Sequence, residues 1–170
     1  MKVLLLFMSL LVSAAVFAQT PEQKLAELKI ALPEVPPAIG SYVDVRRVGN
    51  LLYLSGKGPR NANGEYIIGK LGQELSVQQG YEAAKLTAMN QLAVLKKELG
   101  SLGKVKQIVK VNGYVNCTAA FSDQPKVMNG FSDLLIQVFG EKGRHARTAL
   151  GTNALPMNMA VEVEMIVEVE

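Results

Sequence analysis

The stretch Val161-Glu162-Val163-Glu164-Met165-Ile166-Val167-Glu168-Val169-Glu170 decides how the rest of the chain is read. Val161, Val163, Met165, Val167 and Val169 share one parity and Glu162, Glu164, Glu168 and Glu170 the other, with Ile166 the one break. Side chains of a strand point alternately to its two faces, so this is a β-strand with an apolar face and an acidic one; a helix would scatter the carboxylates around its circumference. A strand so rich in valine sits inside a sheet, and its carboxylates then face a cleft or a second subunit. Upstream, Arg147 is either their counter-ion or an anchor for an anionic ligand.

Outward from that strand the pattern alternates strands with two helices. Residues Ala146–Thr152 and Asn158–Val169 read as strands flanking a turn at Leu155-Pro156. Before them a helix starts near Asp123 with Pro125 in its first turn, carries Val127, Phe131, Leu134, Leu135 and Val138 inward, and stops at Gly140. Lys104–Cys117 alternates again, with Val105, Val109, Val111, Val115 and Cys117 on one face, polar Lys104, Lys106, Lys110, Asn112, Tyr114 and Asn116 on the other, and Ile108 as the exception. Ser76 and Gln79 form a capping box, after which Val77, Tyr81, Ala84, Ala88, Leu92, Leu95 and Leu99 recur at helical spacing until Gly100. Tyr42–Val48 and Leu51–Ser55 read as strands joined at Gly49-Asn50, and Asn61-Ala62-Asn63-Gly64 as a loop tip. Gln23–Ile30 is a short amphipathic stretch, and Pro33, Pro36 and Pro37 then force an extended connection.

The order ββαβαββ predicts an α+β sandwich in which two helices cover the valine face of a mixed sheet. The second face is polar but interleaved with Ile108, Tyr114 and Ile166, which predicts burial against another copy of the chain. Its charges allow cross-strand pairs of Lys110 with Glu162 or Glu164.

With 170 residues, 49% of them hydrophobic and 19% charged, the chain suits one compact domain. Residues 1–18 stand apart: Lys2 precedes an apolar run, and Val16-Phe17-Ala18 suits a signal peptidase, so cleavage is expected after Ala18. The expected organisation is a signal peptide over 1–18, an N-terminal extension over 19–36 and the folded domain over 37–170, secreted or periplasmic and without membrane attachment once cleaved. Losing Lys2 lowers the net charge of +3 by one, too little to call for a nucleic-acid partner. A single cysteine, Cys117, excludes an internal disulfide, and a single histidine, His145, excludes an HExxH pair or a Cys/His zinc cluster. No GxSxG, GxxxxGK[ST] or strand-borne GxGxxG occurs, so acyl-hydrolase, NTPase and dinucleotide readings lack their nucleophile or phosphate cradle; nothing supports a metal built from carboxylates, and no metal and no cofactor is expected.

Pro37-Ala38-Ile39-Gly40-Ser41-Tyr42, the strand ending Leu54-Ser55-Gly56, and above all Ala146-Arg147-Thr148 followed by Ala154-Leu155-Pro156 and Val161-Glu162-Val163-Glu164 resemble the RidA/YjgF family, also called endoribonuclease L-PSP-like. The resemblance covers roughly residues 35–169 and implies a chorismate-mutase-like sandwich with a mixed six-stranded sheet, assembled as a homotrimeric barrel with three clefts between subunits. It also implies deamination of reactive enamine and imine acids of the 2-aminoacrylate type to 2-keto acids and ammonia. In that cleft Arg147 would clamp a small carboxylate-bearing substrate, because a guanidinium matches a carboxylate in two parallel hydrogen bonds. Glu162 would activate the attacking water. Tyr42 would line the cleft, Ser55 and Gly56 would shape its floor, and Asn129 would lie near it. Archetypal members carry Pro, Gln and Cys where this chain has Ser41, Lys57 and Ala149, and with its leader the chain looks like a divergent exported branch.

Plainer roles stand beside these: core packing for Tyr42, an ion pair for Arg147, a lysine partner for Glu162, and an ordinary surface or interface place for His145. Two further functions stay open, a carboxylate-binding or protein-protective module without turnover, and an endoribonuclease. Against the last, one histidine supplies no imidazole acid/base pair and no basic patch with interleaved aromatics is visible.

Overall fold

A computed structural model describes residues 19–37 and 40–170, so the expected signal peptide lies outside the described residues. Five strands form one sheet: β1 (Val45–Val48), β2 (Leu51–Lys57), β3 (Val105–Asn116), β4 (Ala146–Thr152) and β5 (Val161–Val169). Their spatial order is β1-β2-β5-β3-β4, antiparallel except for the parallel pair β3–β4. The valine-glutamate strand β5 is therefore central. Among the described residues three α-helices accompany the sheet, α1 (Pro21–Glu27), α2 (Val77–Leu99) and α3 (Gln124–Phe139).

The helices begin and end for local reasons. At α2 the Gln79 amide donates to the Ser76 hydroxyl (3.2 Å) while Gln79 Oε1 accepts the Ser76 amide (2.9 Å), which satisfies two otherwise orphaned donors. Gly100 then takes φ 76°, a left-handed conformation that stops the helix. Pro125 sits in the first turn of α3, where its missing N–H costs nothing. Where α2 crosses α3, a β-carbon at Gly130 would collide with the Tyr81 carbonyl, so only glycine lets the two backbones approach this closely. Both helices pack on one face of the sheet, and Val161, Val163, Met165, Val167 and Val169 are buried in one core with Leu92, Leu95, Phe131, Leu134 and Leu135. Among the described residues no helix is long and apolar enough to cross a membrane.

Among the described residues the sheet has the five strands read along the sequence and not the six that the family resemblance implies. Residues 59–68, between β2 and α2, contribute only isolated bridges, Arg60 with Tyr66 and Ile68 with Met159. Pro59 lacks a ladder donor, and Gly64 and Gly69 hold φ near 89° and 119°, so the segment curls instead of running extended. Just beyond this loop Lys70 anchors it: its Nζ donates to Asn116 Oδ1 (2.8 Å) and to the Asn153 carbonyl (2.6 Å). Asn116, expected on the polar face, is fully buried and donates to Asn158 Oδ1 (2.9 Å). The last strand starts at Val161 and not at Asn158, because Met157 and Asn158 both adopt left-handed backbone in a short turn.

The exception at Ile108 has a cause. Register shifts between Val105 and Gln107 and between Ile108 and Lys110 put Ile108 in phase with the core, and Val109, expected inside, is only half-buried. The same shifts place Lys110 opposite Ile166, so it meets no glutamate; its ammonium donates to Thr148 Oγ1 (2.9 Å). Glu164 instead accepts from Asn112 Nδ2 (3.0 Å) and the Tyr114 hydroxyl (3.1 Å).

Candidate functional site

Burial of Val161 and Val163 against the helices forces Glu162 to the opposite, open face of β5. Beside it the ladder between β2 and β5 slips between Leu54 and Lys57, which leaves Ser55 and Gly56 out of register. Gln91 of α2 stitches this bulge from below: its Nε2 donates to the Ser55 carbonyl (3.0 Å) and the Val163 carbonyl (2.7 Å). A β-carbon at Gly56 would overlap the Glu162 carboxylate, so the glycine makes room for the acid. The Ser55 hydroxyl donates to the Val43 carbonyl (2.7 Å), and its amide to the Asp44 carbonyl (2.9 Å), which ties the segment carrying Tyr42 to the bulge. Tyr42, Gly56 and Glu162 line one cavity of about 360 Å3. Lys57 lines it too but forms an ion pair with Asp44. Burial, then the charge of Glu164, raises the Glu162 carboxyl above the ordinary glutamate range, and it bonds to no described side chain.

Arg147 belongs to a second constellation. As the register partner of Val111 on β4 it points to the helix face of the sheet, at the sheet's edge, where it reaches along α3. One terminal nitrogen donates to Asn129 Oδ1 and to Ser132 Oγ, both at 3.0 Å, and the other to the Pro125 carbonyl (3.3 Å). His145 Nδ1 donates to the Gly143 carbonyl (2.7 Å), which fixes its tautomer, so Nε2 accepts the Ser132 hydroxyl proton (3.0 Å). The guanidinium, hydroxyl and imidazole thus form a chain. Burial pushes the His145 pKa down and keeps the ring neutral; the carbonyl bond raises it and the Arg147 charge lowers it again. Ala149, two residues beyond the arginine, packs on the core.

Of the residues expected in the site, Tyr42, Ser55, Gly56 and Glu162 come together, and Arg147 joins Asn129, but the two groups do not meet. Arg147 and Glu162 lie on opposite faces, two strands apart in a sheet whose strands are spaced ~4.8 Å. They are further offset by three residues of register, since Arg147 aligns with Met165, or about 10 Å along the strand. His145 is more than an ordinary surface residue, being half-buried and bonded to the serine that holds Arg147. Ser132 and Gln91 were not singled out at all; Asn129 and Ser132 stand three apart on α3, a spacing that places both on one helix face. Among the described residues no group of His, Cys, Asp and Glu could hold a metal ion.

Comparison with known proteins identifies the family and the fold. The family model described as "YjgF/chorismate_mutase-like, putative endoribonuclease" matches residues 22–169. Protein TCP17 of Trypanosoma cruzi is 41% identical over 145 residues, covering 85% of this chain and 91% of its own. A 2-iminobutanoate/2-iminopropanoate deaminase of Dermatophagoides farinae is 32% identical over 142 residues, covering 83% and 95%. Among solved structures, one from Shewanella oneidensis MR-1, described as a putative endoribonuclease, superposes with a TM-score of 0.85 at 36% identity, covering 88% of this chain and 99% of that one.

Proposed function

The chain belongs to the YjgF/chorismate mutase-like family, and on that premise we propose that it hydrolyses small imine and enamine acids, of the 2-aminoacrylate type, in clefts between its own copies. The observation that carries this is the separation of the two constellations. A guanidinium built to hold an anion and a carboxylate with a raised pKa face away from each other in one chain. They can act on one substrate only if Arg147 of one copy faces Glu162 of the next. A homotrimer in which the open sheet faces turn inward would do this three times over, and the apolar Ile166 and Leu150 on that face favour its burial.

The chemistry follows from the donors that remain. Three of the five N–H groups of Arg147 are spent on Asn129, Ser132 and Pro125, which leaves Nε–H and one terminal N–H for a carboxylate. Glu162 takes a proton from water as its oxygen bonds to the imine carbon. Glu162 passes that proton to the nitrogen to give a carbinolamine. It then takes the carbinolamine hydroxyl proton and delivers it to the amino nitrogen as the carbon–nitrogen bond breaks and the carbonyl forms, so ammonia leaves with a 2-oxo acid behind. Burial suits Glu162 to this exchange because a carboxylate with a raised pKa is a stronger base toward water than an ordinary glutamate. Removal of residues 1–18 on export would place this activity outside the cytoplasm. RNA cleavage fits the residues less well, since both nitrogens of the single histidine are engaged.

The test generates 2-imino acids in situ with an amino-acid oxidase and traps the surviving imine with semicarbazide. Wild-type protein is expected to suppress trapping, and Arg147→Ala to lose about a hundred-fold or more of that rate while keeping its oligomeric state, since two charge-assisted hydrogen bonds go with it. Equal rates for the two proteins would overturn the proposal.

A further inference from the structure

The cavity that holds Glu162 is larger than the reaction needs, and its excess is apolar. At about 360 Å3 it has room for roughly twelve waters, whereas the methyl or ethyl group of a three- or four-carbon imine acid displaces only one or two. Besides Glu162 and Gly56, the cavity is lined by the apolar Val35, Pro37, Val94, Met157 and Met159 and by the Tyr66 ring. Two of the polar side chains of the wall, Lys57 and Asn90, are committed to other partners. Lys57 pairs with Asp44. The Asn90 amide donates to the Arg60 and Leu86 carbonyls, both at 2.9 Å. The Arg60 guanidinium lies back against the Gly64 turn.

Two features show that this apolar wall is built and not incidental. The insertion carrying Tyr66 is seated closely: a β-carbon at Gly58 would strike Met159 and crowd the Tyr66 ring. Met157 is held at φ 53°, a left-handed backbone that disfavours its side chain, yet it stands 58% exposed at the cavity. A long apolar side chain in a strained turn, in water, is what a site for an apolar group requires.

We propose that this cavity is a side-chain pocket, and that the chain's substrates are imine acids with large apolar side chains, such as those formed from leucine or phenylalanine, in preference to three- and four-carbon ones. This rests on the imine-acid reading of the cleft and adds to it the class of substituent on the imine carbon. Water and ammonia are exchanged as before, and the side chain takes no part in bond making.

Two measurements on the purified protein separate the pocket from the reaction. The first compares hydrolysis of imine acids generated from leucine and phenylalanine with that from 2-aminobutanoate; kcat/KM is expected to favour the larger ones by about ten-fold or more. The second measures calorimetric binding of 4-methyl-2-oxopentanoate, phenylpyruvate and 2-oxobutanoate, with the same order expected. Val35→Trp, which fills the pocket from an extended segment, and Met157→Asn, which keeps a left-handed backbone but removes the apolar wall, are each expected to bring the ratio of large to small down toward one. Equal or reversed preference in wild-type protein, or failure of all three oxo acids to bind, would overturn the pocket. Tight binding of the bulky oxo acids without hydrolysis of any imine would uphold the pocket and overturn the proposed reaction.

Discussion

Glu162 carries its charge where neither burial nor neighbours favour it. Burial is the main cause of its raised pKa and Glu164 adds to it, while no described side chain donates to its carboxylate. The sign of the consequence is fixed: a carboxyl whose folded-state pKa lies above its unfolded value weakens folding as pH rises through that window, and the whole cost is present above the folded-state pKa. Glu162→Gln is therefore expected to abolish deamination while raising Tm by about 2–4 °C at pH 8, with the gain fading at pH 4; scanning calorimetry at both values checks this. A lower Tm at pH 8 would show that the carboxylate is needed for folding. At this scale Glu162 and Arg147 were legible because strand parity and a short motif expose them. The chain from Arg147 through Ser132 to His145 was not, since it joins α3 to the approach to β4 and exists only once those elements pack.

Elements with strong local signals were read with little error. The Ser76–Gln79 box and Gly100 bound a helix by hydrogen bonds within a few residues, and α2 begins and ends beside them. What local pattern leaves out is how elements meet. Ile108 breaks the alternation of its strand, and only pairing with β5 shows that two register shifts absorb the break and keep lysine from glutamate. Likewise the loop between β2 and α2 bends at Pro59, Gly64 and Gly69, and Lys70 fastens it to buried Asn116. Packing of the two long helices offers a test. Gly130→Ala would drive a methyl group into the Tyr81 carbonyl, and overpacking of this kind costs about 1–3 kcal/mol. Urea unfolding should show a lower midpoint with an unchanged slope; an unchanged midpoint would mean that the helices separate freely at this crossing.

For the whole molecule, the sheet itself is the argument. Its two faces are set apart by the alternation of β5, so the carboxylate and the guanidinium of one chain stand on opposite sides of the sheet. The ring of copies proposed above, joined head to tail, would bring them together, which a lone copy does not. Arg147→Ala and Glu162→Gln should each be inactive alone, yet co-assembled in equal amounts each interface has about one chance in four of receiving both intact residues. Co-expression of the two inactive variants, with deamination measured on the mixed assembly, tests this most directly. Recovery of about a quarter of the wild-type rate is the result predicted, and a mixture as inactive as its parents would contradict a cleft shared between copies.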